Sequence, residues 1–197
     1  MRADLEIIST WVRPGSHVLD LGCGDGTLLH HLMTTRQVTG YGLEINPDNI
    51  TACIEKGVNV IEQDLDKAGL SNFEDQSFDL VIMTQALQAV RRPDLLLDEM
   101  LRVGREAIVT FPNFGYWRLR TWLMTKGRMP ESRTLPYAWY NTPNIHLCTF
   151  KDFEALCLDK NVRIEKRMVV DDEHRDRWFI QLWPNMLGQI ALYHVSR

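Results

Sequence analysis

The residues best suited to chemistry begin with Val18-Leu19-Asp20-Leu21-Gly22-Cys23-Gly24-Asp25-Gly26, an apolar run that ends in three alternate glycines. Glycines at a strand-to-helix turn let a ligand approach the backbone closely and leave helix N-terminal amides facing it, which implies a nucleotide-type ligand. The spacing is G-x-G-x-G, not the G-x-G-x-x-G that binds a pyrophosphate. Asp20, two residues before the first glycine, would repel phosphate and suits a cationic group. Glu44 ends Tyr41-Gly42-Leu43-Glu44. A carboxylate at that distance from the loop, somewhat over 20 residues, can accept hydrogen bonds from both hydroxyls of a ribose. Gln63-Asp64-Leu65 follows a third apolar run, where Asp64 could face an adenine amino group. Taken singly, the glycines make a tight turn and the acids are solvated strand ends. Three acids at three successive strand ends form a constellation.

Other reactive side chains are sparse. After the fourth apolar run the chain reads Met83-Thr84-Gln85-Ala86-Leu87-Gln88-Ala89-Val90, and neither Gln85 nor Gln88 can serve as a base at neutral pH. His146 is the remaining candidate base, with Tyr137 and Tyr140 as helpers, although a histidine just before a helix is more often an oriented wall group. His30 and His31 fall on the helix after the glycine loop, as surface residues. The four cysteines, Cys23, Cys53, Cys148 and Cys157, have no CxxC spacing and make neither a zinc site nor a disulfide framework. Cys23 needs only to be small.

These residues are positioned by alternating short apolar runs and amphipathic segments, the pattern of βα units on a parallel sheet. A helix with Leu5, Ile8 and Val12 on one face ends at Pro14-Gly15. Strands follow at His17 to Leu21, Val38 to Leu43, Val58 to Ile61, Leu80 to Met83 and Ala107 to Phe111. Asn46-Pro47 caps a helix that Gly57 closes, Pro93 opens another, and Thr149 caps a third. Val162 to Val170 and Gly188 to Val195 read as closing strands around the charged run 171–177. The 197 residues, 45% hydrophobic and 24% charged, fit one domain over 1–197, with an insertion or lid at about 112–148. Net charge is −4, which argues against a broad nucleic-acid or membrane surface. No stretch approaches the roughly 18 apolar residues of a membrane span, and the N-terminus lacks a signal-peptide core, so the expected setting is the cytoplasm.

The constellation resembles the class I S-adenosylmethionine-dependent methyltransferase fold. The resemblance implies a Rossmann-like α/β domain: a seven-stranded, mostly parallel sheet with an antiparallel edge hairpin and helices on both faces. It assigns S-adenosylmethionine, or S-adenosylhomocysteine, to the loop. Asp20 and the backbone of Gly22, Cys23, Gly24 and Gly26 would meet its methionine end, Glu44 and Ile45 its ribose, and Asp64 and Leu65 its adenine, with Gln85 closing the site. The Asn/Asp-Pro-Pro-aromatic and Pro-Cys sequences of several methyltransferase classes are missing after the fourth strand.

From Phe111 to Tyr140 the chain holds eight of its 18 aromatics, and five Arg or Lys against Glu131 give a local charge of +4. That is the composition of an interface hot spot, of a pocket for an aromatic or anionic acceptor, or of a lid whose tryptophans pack on the sheet. Pro112-Asn113-Phe114-Gly115-Tyr116-Trp117-Arg118, Gly127-Arg128-Met129-Pro130, Leu135-Pro136-Tyr137-Ala138-Trp139-Tyr140 and the run Thr142 to Thr149 resemble the MetW family of bacterial methionine-biosynthesis proteins. That resemblance implies a protein that works with a homoserine O-acyltransferase, supporting or regulating it, rather than with nucleic acid or membrane. A homodimer is left open. The alternative expectation is an active methyltransferase on a small-molecule acceptor.

Overall fold

The computed structural model describes residues 3–171, 180 and 182–197. Apart from Asp171, the charged run 171–177 lies outside the described residues. The elements are α1 (Ala3–Trp11), β1 (His17–Leu21), α2 (Thr27–Arg36), β2 (Thr39–Glu44), α3 (Pro47–Glu55), β3 (Val60–Glu62), α4 (Leu65–Ala68), β4 (Phe78–Thr84), α5 (Pro93–Val103), β5 (Gly104–Pro112), α6 (Trp117–Lys126), α7 (Phe150–Asp159), β6 (Arg163–Val170), α8 (Pro184–Leu187) and β7 (Ile190–Ser196). A 3-10 turn, Leu87–Ala89, follows β4.

The strands form one sheet in the order β3-β2-β1-β4-β5-β7-β6. β7 runs antiparallel to both of its neighbours, and the other pairings are parallel. Successive strand side chains point to opposite faces. Leu19, Leu21, Val81, Met83, Val109 and Phe111 therefore join one core with residues of α5 and α7. Val18, Leu80, Ile82 and Ile108 join the other with α1 and α2. With both faces covered, the central strands are apolar almost without interruption, as parallel sheets require.

Local signals set the helix starts. The Asn46 side chain accepts from Asp48 N at 2.9 Å and Asn49 N at 3.4 Å, with Pro47 at the first helical position. Thr149 and Asp152 form a reciprocal capping box on α7. β1 connects to β2 on one side, whereas β4 lies on its other side. The crevice beyond the carboxyl ends of β1 and β4 is thus a topological switch point, where ligands bind in open α/β sheets.

Candidate functional site

The loop after β1 is held open toward that crevice. Gly22, Gly24 and Gly26 have φ of 67°, 57° and 74°, a region that side-chain-bearing residues seldom enter. Gly22 N and Cys23 N both donate to Leu43 O, at 2.9 and 3.1 Å, which pins the loop to β2. Gly42 makes this possible, because a Cβ there would come within 2.9 Å of Cys23 Cβ. Cys23 is buried with its Sγ 3.8 Å from that of Cys53. Burial first, then the nearby Asp20 carboxyl, pushes its thiol up and leaves it unreactive.

Glu44 ends β2 and ties loop to strand. Its Oε2 accepts from Gly24 N at 2.9 Å, and its Oε1 from Ile45 N at 2.8 Å and Asn46 N at 2.9 Å. A carboxylate offers about four acceptor sites, so one remains. Taking two ribose hydroxyls at once requires release of a backbone amide. Asp20, 1% exposed, has an Oδ1 with no hydrogen-bond partner. Desolvation, and secondarily the Glu44 charge, raises its carboxyl from the usual 3.8 to about 7.

A cleft of about 160 Å3 brings Gly22, Glu44, Ile45, Asp64 and Leu65 together, closed on the far side by Ala86, Ala89 and Val90. Asp64 also caps α4, accepting from Asp66 N at 3.0 Å, and pairs with Lys67 at 3.2 Å. Asp20, Cys23, Gly24, Gly26 and Gln85 do not line this cleft; Asp20 belongs to β1, and Cys23, Gly24 and Gly26 to the loop that follows it. Gln85 stands at φ 53° with its N–H shared between Thr110 O at 2.9 Å and Thr110 Oγ1 at 3.1 Å. A strained residue at a strand end beside a cleft is a common mark of a site. Its backbone geometry was not readable from its type.

His146 lies apart. It is half-buried, its Nε2 donates to Arg91 O at 3.2 Å, and it is not a cleft-lining residue. Its neighbour in space is Gln88, which the sequence shows only as a residue unable to act as a base and which the fold makes a hub. Gln88 Nε2 donates to Pro112 O at 3.2 Å, and Gln88 O accepts from Ile145 N at 2.9 Å and His146 N at 3.1 Å. The turn that walls the cleft thus holds both ends of the 112–148 segment. A glutamine inside an apolar run was the available signal. Asn113 was missed as well: it is 1% exposed, donates to Asn185 O and Gly188 O, and accepts from Gly115 N.

None of the segment's three tryptophans is buried. Trp117, Trp122 and Trp139 are 39%, 48% and 76% exposed. Among the described residues, no group of three or more His, Cys, Asp or Glu could hold a metal, and no helix is long and apolar enough to cross a membrane.

This strand order, with its glycine loop after β1 and an acid at the end of β2, is the class I S-adenosylmethionine-dependent methyltransferase fold. Solved methyltransferases agree: one from Archaeoglobus fulgidus matches with a TM-score of 0.72 at 16% identity, covering 100% of this chain and 92% of that one. One from Mesorhizobium loti matches with 0.71 at 16% identity, covering 99% and 98%. Within that fold the chain belongs to the MetW family, since residues 2–195 match the family described as methionine biosynthesis protein MetW. The Bifunctional methionine biosynthesis protein MetXA/MetW of Rhodopirellula baltica is 39% identical over 206 residues, covering 100% of this chain and 33% of that protein. The chain therefore spans about a third of that relative's length.

Proposed function

We propose that this chain binds S-adenosylmethionine or S-adenosylhomocysteine in the crevice beside the glycine loop, and that it associates in the cytoplasm with a homoserine O-acyltransferase, which it supports or regulates. The observation that carries the ligand reading is the buried Asp20 Oδ1, which has no partner and belongs to a carboxyl with a raised proton affinity. A cation or hydrogen-bond donor would relieve that cost, and the methionine end of the ligand offers both a sulfonium and an ammonium. In this reading Asp20 and the backbone of Gly22, Cys23, Gly24 and Gly26 hold that end. Glu44 and Ile45 hold the ribose, Asp64 and Leu65 the adenine, and Gln85 borders the reacting side.

When bound, S-adenosylmethionine would supply an electrophilic methyl group. The chain's own residues orient and bind, but Gln85 and Gln88 cannot take a proton and His146 is engaged with Arg91 O. That weak catalytic surround favours a sensing or supporting role over methyl transfer. The relative that carries MetXA and MetW in one chain supports a partner in the same pathway. Fusion keeps two functions at high effective concentration, and a separate chain reaches the same arrangement by association.

Acyltransferase activity measured with and without this chain, across a titration of S-adenosylmethionine, tests the proposal. Activity should depend on the chain and respond to the ligand; indifference to both additions defeats it. Methyl transfer from labelled S-adenosylmethionine into cell extract, lost in Asp20→Ala, would instead establish the enzymatic alternative.

A further inference from the structure

α6 is an unusual helix for a folded domain, because Leu119 is the one buried residue of its ten. A helix this short is marginal alone and normally owes its stability to a packed face. Here Trp122, Leu123 and Met124 stand 48%, 41% and 79% exposed, beside a half-exposed Trp117. A groove of about 300 Å3 opens between α6 and residues 130–133, lined by Tyr116, Leu119 and Trp122 and by Arg118, Arg133 and Glu131, two cations against one acid. The Arg118 guanidinium lies over the Trp117 ring, 5.5 Å from its centroid. Aromatic walls with guanidinium groups at the rim are the makeup of binding hot spots.

The charge indicates what fits there. The stretch 111–140 carries +4 in a chain of −4, so the rest of the molecule carries −8. A second copy docking through the same face about a two-fold axis would set +4 against +4, which complementarity disfavours. Resting on the association read above, we propose that α6 and its groove form the docking surface for the partner enzyme. The occupant is an apolar partner side chain flanked by Asp or Glu. Aliphatic or aromatic bulk fills the slot against Tyr116 and Trp122, and the flanking carboxylates meet Arg118 and the other cations of the segment.

The test uses the purified full chain and the purified homoserine O-acyltransferase, with association followed by calorimetry. The unaltered chain should bind. Trp122→Ala combined with Met124→Ser should weaken binding at least about tenfold, as should Arg118→Glu combined with Arg128→Glu. All four substitutions are on the surface, so affinity for S-adenosylhomocysteine should stay within about twofold of the parent, which shows that the fold and cleft are intact. Binding of either double variant at parental strength, with the cleft intact, overturns the docking surface while leaving the association standing. Failure of the unaltered chain to bind the acyltransferase overturns both. A dimer of this chain alone that Trp122→Ala dissociates in sedimentation would make α6 a self-interface and overturn the proposal.

Discussion

Asp20 and Glu44 lie on one end of the sheet but do different work, and their surroundings separate them. Glu44 is held by three backbone N–H groups, which fix its carboxylate at the cleft. Removing it as Glu44→Ala should cost about 1.5–3 kcal/mol of S-adenosylhomocysteine affinity, one to two decades, as for hydrogen bonds to a charged group. Calorimetry would read this, and unchanged affinity would put the ribose elsewhere. Asp20 is buried without such support, and its folded proton affinity is raised to about 7. The sign follows. In the ligand-free chain the carboxyl is protonated below that value, so its own contribution to stability is greatest below about pH 4 and is lost as pH rises from about 4 to 7. Affinity for the cationic ligand should move the other way, rising by up to about tenfold per pH unit and levelling off above 7. Asp20→Asn should make stability fall less between about pH 4 and 7 in thermal melts and should flatten the rise of affinity in titrations; profiles that match the parent's would assign both slopes to other groups. The residue types of this site were legible because a carboxylate before alternate glycines has few purposes. The three amides on Glu44 were not, since the direction of backbone N–H groups depends on how the loop is pinned to Leu43.

Elements were readable where their ends carry chemistry. Asn46-Pro47, Pro93 and Thr149 each start a helix as expected, and β1 matches its reading residue for residue. β3 does not: it was expected at Val58 to Ile61 and runs Val60–Glu62. Val58 N is spent closing α3 on Cys53 O, and its side chain is buried beside the glycine loop. α4 was missed because four residues offer no periodicity, and Asp64 looked like a ligand group before it looked like a cap. The most informative element-scale contact is Asn113, just past β5. Its amide bonds Asn185 O at 3.1 Å and Gly188 O at 2.8 Å, joining the end of β5 to α8 and the approach to β7. Asn113→Ala would strip partners from buried backbone groups on both sides. The expected loss is about 2–4 kcal/mol of unfolding free energy, read as a lower urea midpoint at unchanged slope. A midpoint within error of the parent would mean that water replaces the amide.

At the scale of the molecule, the parallel order of β1, β4 and β5 puts the glycine loop, the Gln88 turn and the root of the 112–148 segment on one edge of the sheet. The candidate cleft and the groove beside α6 have no lining residue in common; the Gln88 turn, bonded to Pro112 O, ties the cleft wall to the root of the segment that carries α6, and that segment was legible as a +4 stretch in a −4 chain. Its exposure was not, because aromatic content alone fits a packed lid as well as an interface. The distribution of charge leads to a kinetic expectation that net charge would get backwards. Against a partner of net negative charge, the chain's own −4 would predict repulsion that added salt screens, and so association that quickens with ionic strength. Near 0.1 M salt, however, the screening length is about 10 Å, and the patch that leads into contact outweighs the distant remainder. With α6 leading against a carboxylate-rimmed partner, the association rate constant should instead fall as salt is added, while the dissociation rate constant changes little. Stopped-flow mixing with the acyltransferase over a salt series would distinguish the two. Arg118→Glu with Arg128→Glu should abolish the decline, and a rate that rises with salt in the unaltered chain would mean that an acidic face makes the first contact.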